Sequence, residues 1–193
     1  MTADLRVLVL YAHPNHDVSR TNRALRGAIE GAPGVTVHDL YDCYPDLFID
    51  VRREQRLLLE HDVLVFQHPM QWYSAPAIVK EWEDSVLENG WAYGEGGDKL
   101  RGKRFLQAVT TGGHPESYRH GGKAHFTVPE LLRPFEQMAH YCGMVVLPPF
   151  VTNDAHDIDD GVIAAQAARY RALLDAVHRG DVPPPFDTIP GVD

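Results

Sequence analysis

Three short stretches of this chain carry residue types that a solvated turn has little reason to use, and each follows an apolar run. The first is Ser19-Arg20-Thr21-Asn22, which opens a helical pattern made by Ala24, Leu25, Ala28 and Ile29. Helix starts present free N–H groups and the positive end of the dipole, so phosphate binds there readily. The Ser and Thr hydroxyls, the Asn amide, and His13 or Arg20 would complete such a cradle; equally, Ser19 would serve as a plain helix cap. The second stretch is Gln67-His68-Pro69-Met70-Gln71-Trp72-Tyr73-Ser74-Ala75-Pro76. Its Met70, Gln71, Trp72 and Tyr73 suit a flat, partly apolar ligand, or else a staple buried beneath the next helix. The third, Thr110-Thr111-Gly112-Gly113, joins two hydroxyls to two residues free to take positive φ. Consecutive N–H groups in such a turn form an anion-binding nest, although a simple strand-ending turn would use the same residues.

Other chemistries find little support. Neither G-x-G-x-x-G nor a P-loop follows the first apolar run, which argues against a dinucleotide Rossmann domain or an NTPase. Gly94-Glu95-Gly96-Gly97 follows no strand and reads as a turn, and no G-x-S-x-G elbow points to a hydrolase. His13, His68, His114, His120 and His125 show no metal-ligand spacing, so no metal is expected. Cys43 and Cys142 lie far apart and read as buried structural thiols. With 193 residues, 44% hydrophobic and 23% charged, the chain can bury a full core and is of neither disordered nor membrane composition. No apolar run has transmembrane length and Met1 to Arg6 carries no signal-peptide pattern, so a cytoplasmic protein is expected. A formal charge of −9 leaves no basic stripe for nucleic acid.

The elements that must position these stretches are read from periodicity. Strands are expected at Arg6–Ala12, Thr36–Tyr41, Val63–Gln67, Phe105–Thr110 and Met144–Val151, the last with Pro148-Pro149 and so at an edge. Helices are expected after Ser19, over Arg52–Glu60 with Leu57 to Leu59 inward, over Ala75–Leu87, over Pro129–Tyr141, and along Ile163, Ala167, Tyr170, Leu174 and Val177. Ser74 is the expected cap of the third helix, with Pro76 in its first turn. Residues 1–180 read as one domain and 181–193 as an irregular tail. Alternating strands and helices predict an α/β, three-layer sandwich with a five-stranded parallel sheet and right-handed crossovers. In the order 2-1-3-4-5 the loops after strands one, three and four meet at one edge, and those are the three stretches above.

Several motifs recur in a fixed order: Tyr11-Ala12-His13-Pro14, Asp39-Leu40-Tyr41 with Tyr44-Pro45-Asp46, Glu54-Gln55, Gln67 to Ser74, Gly90-Trp91-Ala92-Tyr93-Gly94, Thr110 to Gly113 and Tyr141-Cys142-Gly143. On these the chain resembles, over nearly its whole length, the flavodoxin-like NAD(P)H:quinone oxidoreductases. Within them it is similar to the ancillary flavoproteins of glutathione-gated potassium-efflux systems. The resemblance implies a flavodoxin-like fold, a homodimer, and FMN as cofactor, with FAD, used by relatives, as the alternative. It assigns His13, Ser19, Arg20, Thr21 and Asn22 to the phosphate and ribityl end. Met70, Gln71, Trp72 and Tyr73 would line the isoalloxazine, with Trp72 against the ring, and Thr110, Thr111, Gly112 and Gly113 would meet its pyrimidine end. Tyr118 matches a charge-stabilising tyrosine; His125 matches its histidine partner only with a one-residue shift, and His120 is a rival. Trp91 and Tyr93 would wall the substrate pocket across the dimer.

The implied reaction is ping-pong, two-electron hydride transfer from NADH or NADPH through FMN to a quinone. Two alternatives use the same fold. One is a regulatory subunit of a membrane potassium-efflux transporter, peripheral at the inner face of the membrane through protein contacts. The other is a flavodoxin-type electron carrier, which an aromatic wall around the site disfavours.

Overall fold

The computed structural model describes residues 4–184. In chain order the elements are β1 (Val7–Tyr11), α1 (Thr21–Ile29), β2 (Val35–Asp39), α2 (Leu40–Cys43), α3 (Val51–Glu60), β3 (Val63–Pro69), α4 (Ala77–Val86), β4 (Arg104–Thr110), α5 (Val128–Tyr141), β5 (Val145–Val146), β6 (Phe150–Thr152) and α6 (Asp160–His178). The strands lie in the order β2-β1-β3-β4-β5, and β6 also pairs with β4. Every pairing is parallel.

Alternation along the strands builds two cores, because successive side chains of a strand point to opposite faces. Val7, Val9, Val63, Val65, Leu106 and Ala108 face α1 and α6, meeting Leu25, Ile29, Tyr170 and Leu174. Leu8, Leu10, Leu64, Phe66, Phe105 and Val109 face α3, α4 and α5, meeting Leu58, Ile78, Trp82, Leu132 and Phe135. Phe66 takes the rings of Trp82, Phe105 and Phe135 edge-on at 5.6, 5.0 and 6.3 Å. Both faces being covered is why these strands read as unbroken apolar runs.

Four local expectations are corrected. The fifth strand is two short ones, since Pro148 and Pro149 have no N–H to donate and the ladder breaks there. Val145-Val146 pairs with Arg104-Phe105, and Phe150–Thr152 restarts beside Ala108–Thr110. β2 stops at Asp39, whose carboxylate accepts the N–H groups of Tyr41 and Asp42 and so starts α2. The cap position of α4 is Pro76, not Ser74, and Pro76 provides no side-chain bond. On α3 Leu58 is buried but Leu59 is 49% exposed, because residues one apart on a helix diverge by about 100°. Of the thiols, Cys142 is buried and Cys43 only partly so; both are free.

One buried polar knot ties the second core together. Glu54, 0% exposed, accepts from Tyr44 Oη at 2.5 Å and from Trp82 Nε1 at 2.8 Å, and its Oε1 lies 2.8 Å from His38 Nε2. These bonds join β2, the segment after α2, α3 and α4. Burial would raise the Glu54 pKa, but the hydrogen bonds and charge of its neighbours outweigh burial and hold it below the usual value. Among the described residues no helix is long and apolar enough to cross a membrane. Residues 181–184 carry no helix or strand, and the rest of the expected tail, 185–193, lies outside the described residues.

Candidate functional site

The carboxyl ends of β1, β3, β4 and β6 open onto a cleft of about 360 Å³. His13, Ser19, Arg20, Thr21 and Asn22 line it after β1, Met70 and Gln71 after β3, and Thr110, Thr111 and Gly112 after β4. The split of strand five adds a fourth contributor: β6 climbs beside the end of β4, so Ala155 and His156 also line the cleft. Sequence reasoning missed these two. The available signal was the polar run Asn153-Asp154-Ala155-His156 at a strand's end.

The start of α1 forms one end of the site. Arg20 occupies the cap position without a side-chain cap bond, so the first N–H groups of the helix are left for another acceptor. The Arg20 guanidinium turns sideways and donates to the carbonyls of His156 and Ile158, both at 3.1 Å, and to Asp160 Oδ1 at 2.8 Å. Thr21 Oγ1 adds a bond to Ala155 O at 2.9 Å. Asn22, 1% exposed, donates through Nδ2 to Thr110 Oγ1 at 2.6 Å, while its Oδ1 has no partner. A buried oxygen without a donor is uncommon in folded proteins and calls for an explanation. Behind this end, Tyr11 Oη lies 2.7 Å from His16 Nδ1. Burial first, then the nearby His16 and His156, push the His13 pKa below its usual value, which favours the neutral imidazole.

The Thr110 end is held differently from expectation. Neither Gly112 nor Gly113 takes positive φ. Their missing Cβ atoms instead leave room for two rings that would otherwise have to give by a few tenths of an ångström. A Cβ at Gly112 would come 3.2 Å from the His156 ring, and one at Gly113 would come 3.1 Å from the Tyr118 ring. Thr111 is fixed by its N–H to Thr152 O at 2.9 Å and by its hydroxyl to Asn153 Oδ1 at 2.9 Å. Among the described residues the amides of Gly112 and Gly113 donate to no backbone carbonyl.

The aromatic turn is the strained part. Gln71 and Ser74 exchange N–H···O bonds of 3.0 Å each way, and Trp72 and Tyr73 between them hold φ of 49° and 63°. Two left-handed central residues define a type I′ turn, which normally demands Asn or Gly, so two aromatics there are costly. The turn points Trp72 outward at 95% exposure and Tyr73 at 50%, and neither lines the cleft. Tyr118 packs over Gly113, and the bond from Ala124 N–H to Ser117 O (2.9 Å) closes the loop that also carries His125. His125 is exposed with φ of 64°, whereas His120 lies 3.0 Å from Glu130. Trp91 and Tyr93 stand away from the cleft of their own chain. Tyr93 packs on Tyr141 with ring centroids 5.1 Å apart, in a second groove between α4 and α5.

A family model described as a flavodoxin-like fold matches residues 5–174. The chain is 43% identical over 174 residues to the uncharacterized NAD(P)H oxidoreductase YrkL of Bacillus subtilis (strain 168), spanning 90% of this chain and 100% of that protein. It is 44% identical over 174 residues to the glutathione-regulated potassium-efflux system ancillary protein KefG of Enterobacter sp. (strain 638), spanning 90% and 95% of the two chains. Among solved structures, general stress protein 14 of Treponema denticola, in complex with FMN, matches with a TM-score of 0.85 at 38% identity over 89% of this chain and 99% of that one. An NADPH-quinone reductase of P. pentosaceus matches with a TM-score of 0.79 at 32% identity over 86% and 96%. The matched family model spans both cores and all four loops of the cleft, and this chain therefore belongs to the flavodoxin-like family that includes NAD(P)H oxidoreductases and quinone reductases.

Proposed function

We propose that this protein is an FMN-dependent NAD(P)H:quinone oxidoreductase, acting as a single flavin-binding domain and moving two electrons in a ping-pong cycle. The observation that carries the reading is the set of uncommitted polar groups in one cleft. They are the N–H groups opening α1, Asn22 Oδ1, and the amides of Gly112 and Gly113. Each answers a part of FMN. A phosphate dianion needs the donors and dipole of a helix start, ribityl hydroxyls need an acceptor such as Asn22 Oδ1, and the carbonyl edge of the ring needs N–H donors. The relative from Treponema with FMN, and the relatives named for NAD(P)H and quinone, support the same assignment.

Bound there, FMN would supply the hydride-accepting chemistry. The chain supplies the rest. Ser19, Thr21 and Asn22 hold the phosphate and ribityl end, with neutral His13 beside them. Met70 and Gln71 border the ring; Trp72, which points outward beside Gln71 in the free chain, would turn inward from its strained turn to cover the ring when FMN binds. Thr110 and Thr111 fix the strand end from which the Gly112 and Gly113 amides offset negative charge developing at the ring edge. Tyr118, packed over Gly113, donates to the same charge, and His125 in its loop assists. In a two-fold dimer Trp91 and Tyr93 of the partner copy wall the place that nicotinamide and quinone occupy in turn, which light scattering tests.

The test is a titration of purified protein with FMN, followed anaerobically by NADH or NADPH and then a quinone. Failure of FMN both to lose fluorescence and to raise the melting temperature would refute the assignment. Tyr118→Phe is expected to lower kcat about 100-fold with little change in KM, as for loss of one donor to transition-state charge. Unchanged kinetics in both half-reactions would return the loop to a structural role. Trp72→Gly is expected to stabilise the free protein by about 1 kcal/mol, because glycine takes positive φ without strain. The same change should weaken FMN binding by roughly 1–3 kcal/mol through lost stacking. A variant that melts lower, or binds FMN unchanged, would contradict the role given to this turn.

The similarity to KefG favours a second role, docking on a potassium-efflux transporter from its cytoplasmic side. Activation then requires tighter binding to the open transporter than to the closed one. Potassium loss after a glutathione-adduct challenge, measured with and without this chain, decides it; equal loss removes the role.

A further inference from the structure

We propose that Cys43 is an oxidation site, a thiol that small hydroperoxides convert to a sulfenic acid, with His38 taking and returning the proton and Arg53 steadying the charge. The inference does not depend on the flavin reading, because Cys43 lines neither the cleft nor the groove between α4 and α5. Its sulfur sits at the end of α2 with a different partner on each side. On the buried side His38 Nδ1 is 3.8 Å away, and on the exposed side Arg53 Nη2 donates to it at 3.7 Å. Cys43 is only partly buried and unpaired, which leaves it within reach of small molecules in solvent.

Glu54 sets the state of the histidine. Its pKa is held below the usual value against the effect of burial, so it is an ionised acceptor at neutral pH. His38 Nε2, 2.8 Å from Glu54 Oε1, must therefore carry a hydrogen and donate it. In the neutral ring that leaves Nδ1 bare, and the residue is 7% exposed, so bulk water does not serve it. The Cys43 sulfur is the only hydrogen-bond partner of Nδ1 among the described residues. A buried base aimed at a thiol, and oriented by a carboxylate on its far nitrogen, is the arrangement that activates a nucleophile. Cys142 offers the contrast: it is buried, and burial first and Glu83 second push its pKa up, which keeps it a thiol.

The step balances with the hydroperoxide as sole oxidant. The S–H proton passes to His38 Nδ1, and a sulfur lone pair attacks the hydroxyl-bearing oxygen of the peroxide. An S–O bond forms, and the O–O bond breaks with its electron pair leaving on the other oxygen. That oxygen takes the proton back from His38 and departs as water, or as an alcohol where the hydroperoxide is organic. Sulfur is oxidised by two electrons and the peroxide is reduced by two; the sulfenic acid left on Cys43 is reversible by added thiol. The Arg53 guanidinium has further N–H groups on the solvent side, and these donate to the leaving oxygen as its charge grows.

The experiment exposes the full-length protein to hydrogen peroxide with dimedone, which traps sulfenic acids, and follows the Cys43 and Cys142 peptides by mass spectrometry. The same reaction is run on the chain unfolded in urea. Folded Cys43 is expected to react at least about tenfold faster than unfolded Cys43, whereas Cys142 should react more slowly folded than unfolded. A merely half-covered thiol would be slowed by folding, and a folded Cys43 no faster than the unfolded one overturns the proposal. His38→Gln keeps an N–H for Glu54 while removing the acceptor that faces the sulfur, so the folded rate should fall to that of the unfolded chain. Arg53→Gln changes an exposed side chain that folding does not need, and should slow the folded reaction about threefold or more with the melting temperature kept. A folded rate left unchanged by either substitution also overturns the proposal.

Discussion

Replacing Glu54 by alanine is expected to cost about 3–5 kcal/mol of stability at neutral pH, the range for breaking a buried charged network from one side. Three groups on three different segments lose their acceptor at once: His38, Tyr44 Oη and Trp82 Nε1. Glutamine should not rescue the loss. If its oxygen takes the place of Oε1, its amide nitrogen faces the indole N–H of Trp82, donor against donor. The pH dependence follows from the direction of the shift. The folded-state pKa of Glu54 lies below its ordinary value of 4.5, so its stabilisation is fully present above that value and fades as pH falls through the folded value. Urea unfolding of the native chain and Glu54→Ala at pH 7 and at about pH 3.5 tests both points, the gap between them narrowing at the lower pH. An equal gap at both would show that Glu54 acts by packing alone. The knot matters for the site because Trp82 fixes α4, whose start carries the Gln71–Ser74 turn.

Asn22→Asp should abolish most flavin binding with almost no change of shape. The substitution puts a carboxylate at a 1% exposed position in the cleft and removes the Nδ2 donor that now holds Thr110 Oγ1. It also sets like charge beside the phosphate cradle at the start of α1. A loss of FMN affinity of about 100-fold, near 3 kcal/mol, is expected at pH 8. Burial raises the pKa of the new carboxyl, so it protonates as pH falls and part of the affinity should return by about pH 5.5. FMN titrations at the two pH values check this. Native affinity at both would put the ribityl chain somewhere other than against Asn22.

Much of this molecule was legible in one dimension. Strands covered on both faces are continuous runs of apolar residues, and helices covered on one face repeat near 3.6, so order and type of the main elements could be read directly. From that order alone the loops after β1, β3 and β4 had to meet, and His13, Ser19 to Asn22, Met70, Gln71 and Thr110 to Gly112 do line one cleft. The fork of Arg20 was not legible. Its acceptors lie 136 to 140 residues away, and nothing local to Arg20 distinguishes a phosphate ligand from a strap. Nor was the outward aim of Trp72, because residue type suggests burial or stacking while the sign of φ sets the direction. Gly112 and Gly113 invite a positive φ in sequence, yet neither takes one in the folded chain, where their missing Cβ atoms leave room for the rings of His156 and Tyr118. Local propensity and periodicity determined which elements form. Which groups face each other across the cleft was decided by packing that joins residues far apart in the chain, and single-residue preferences carry no record of it.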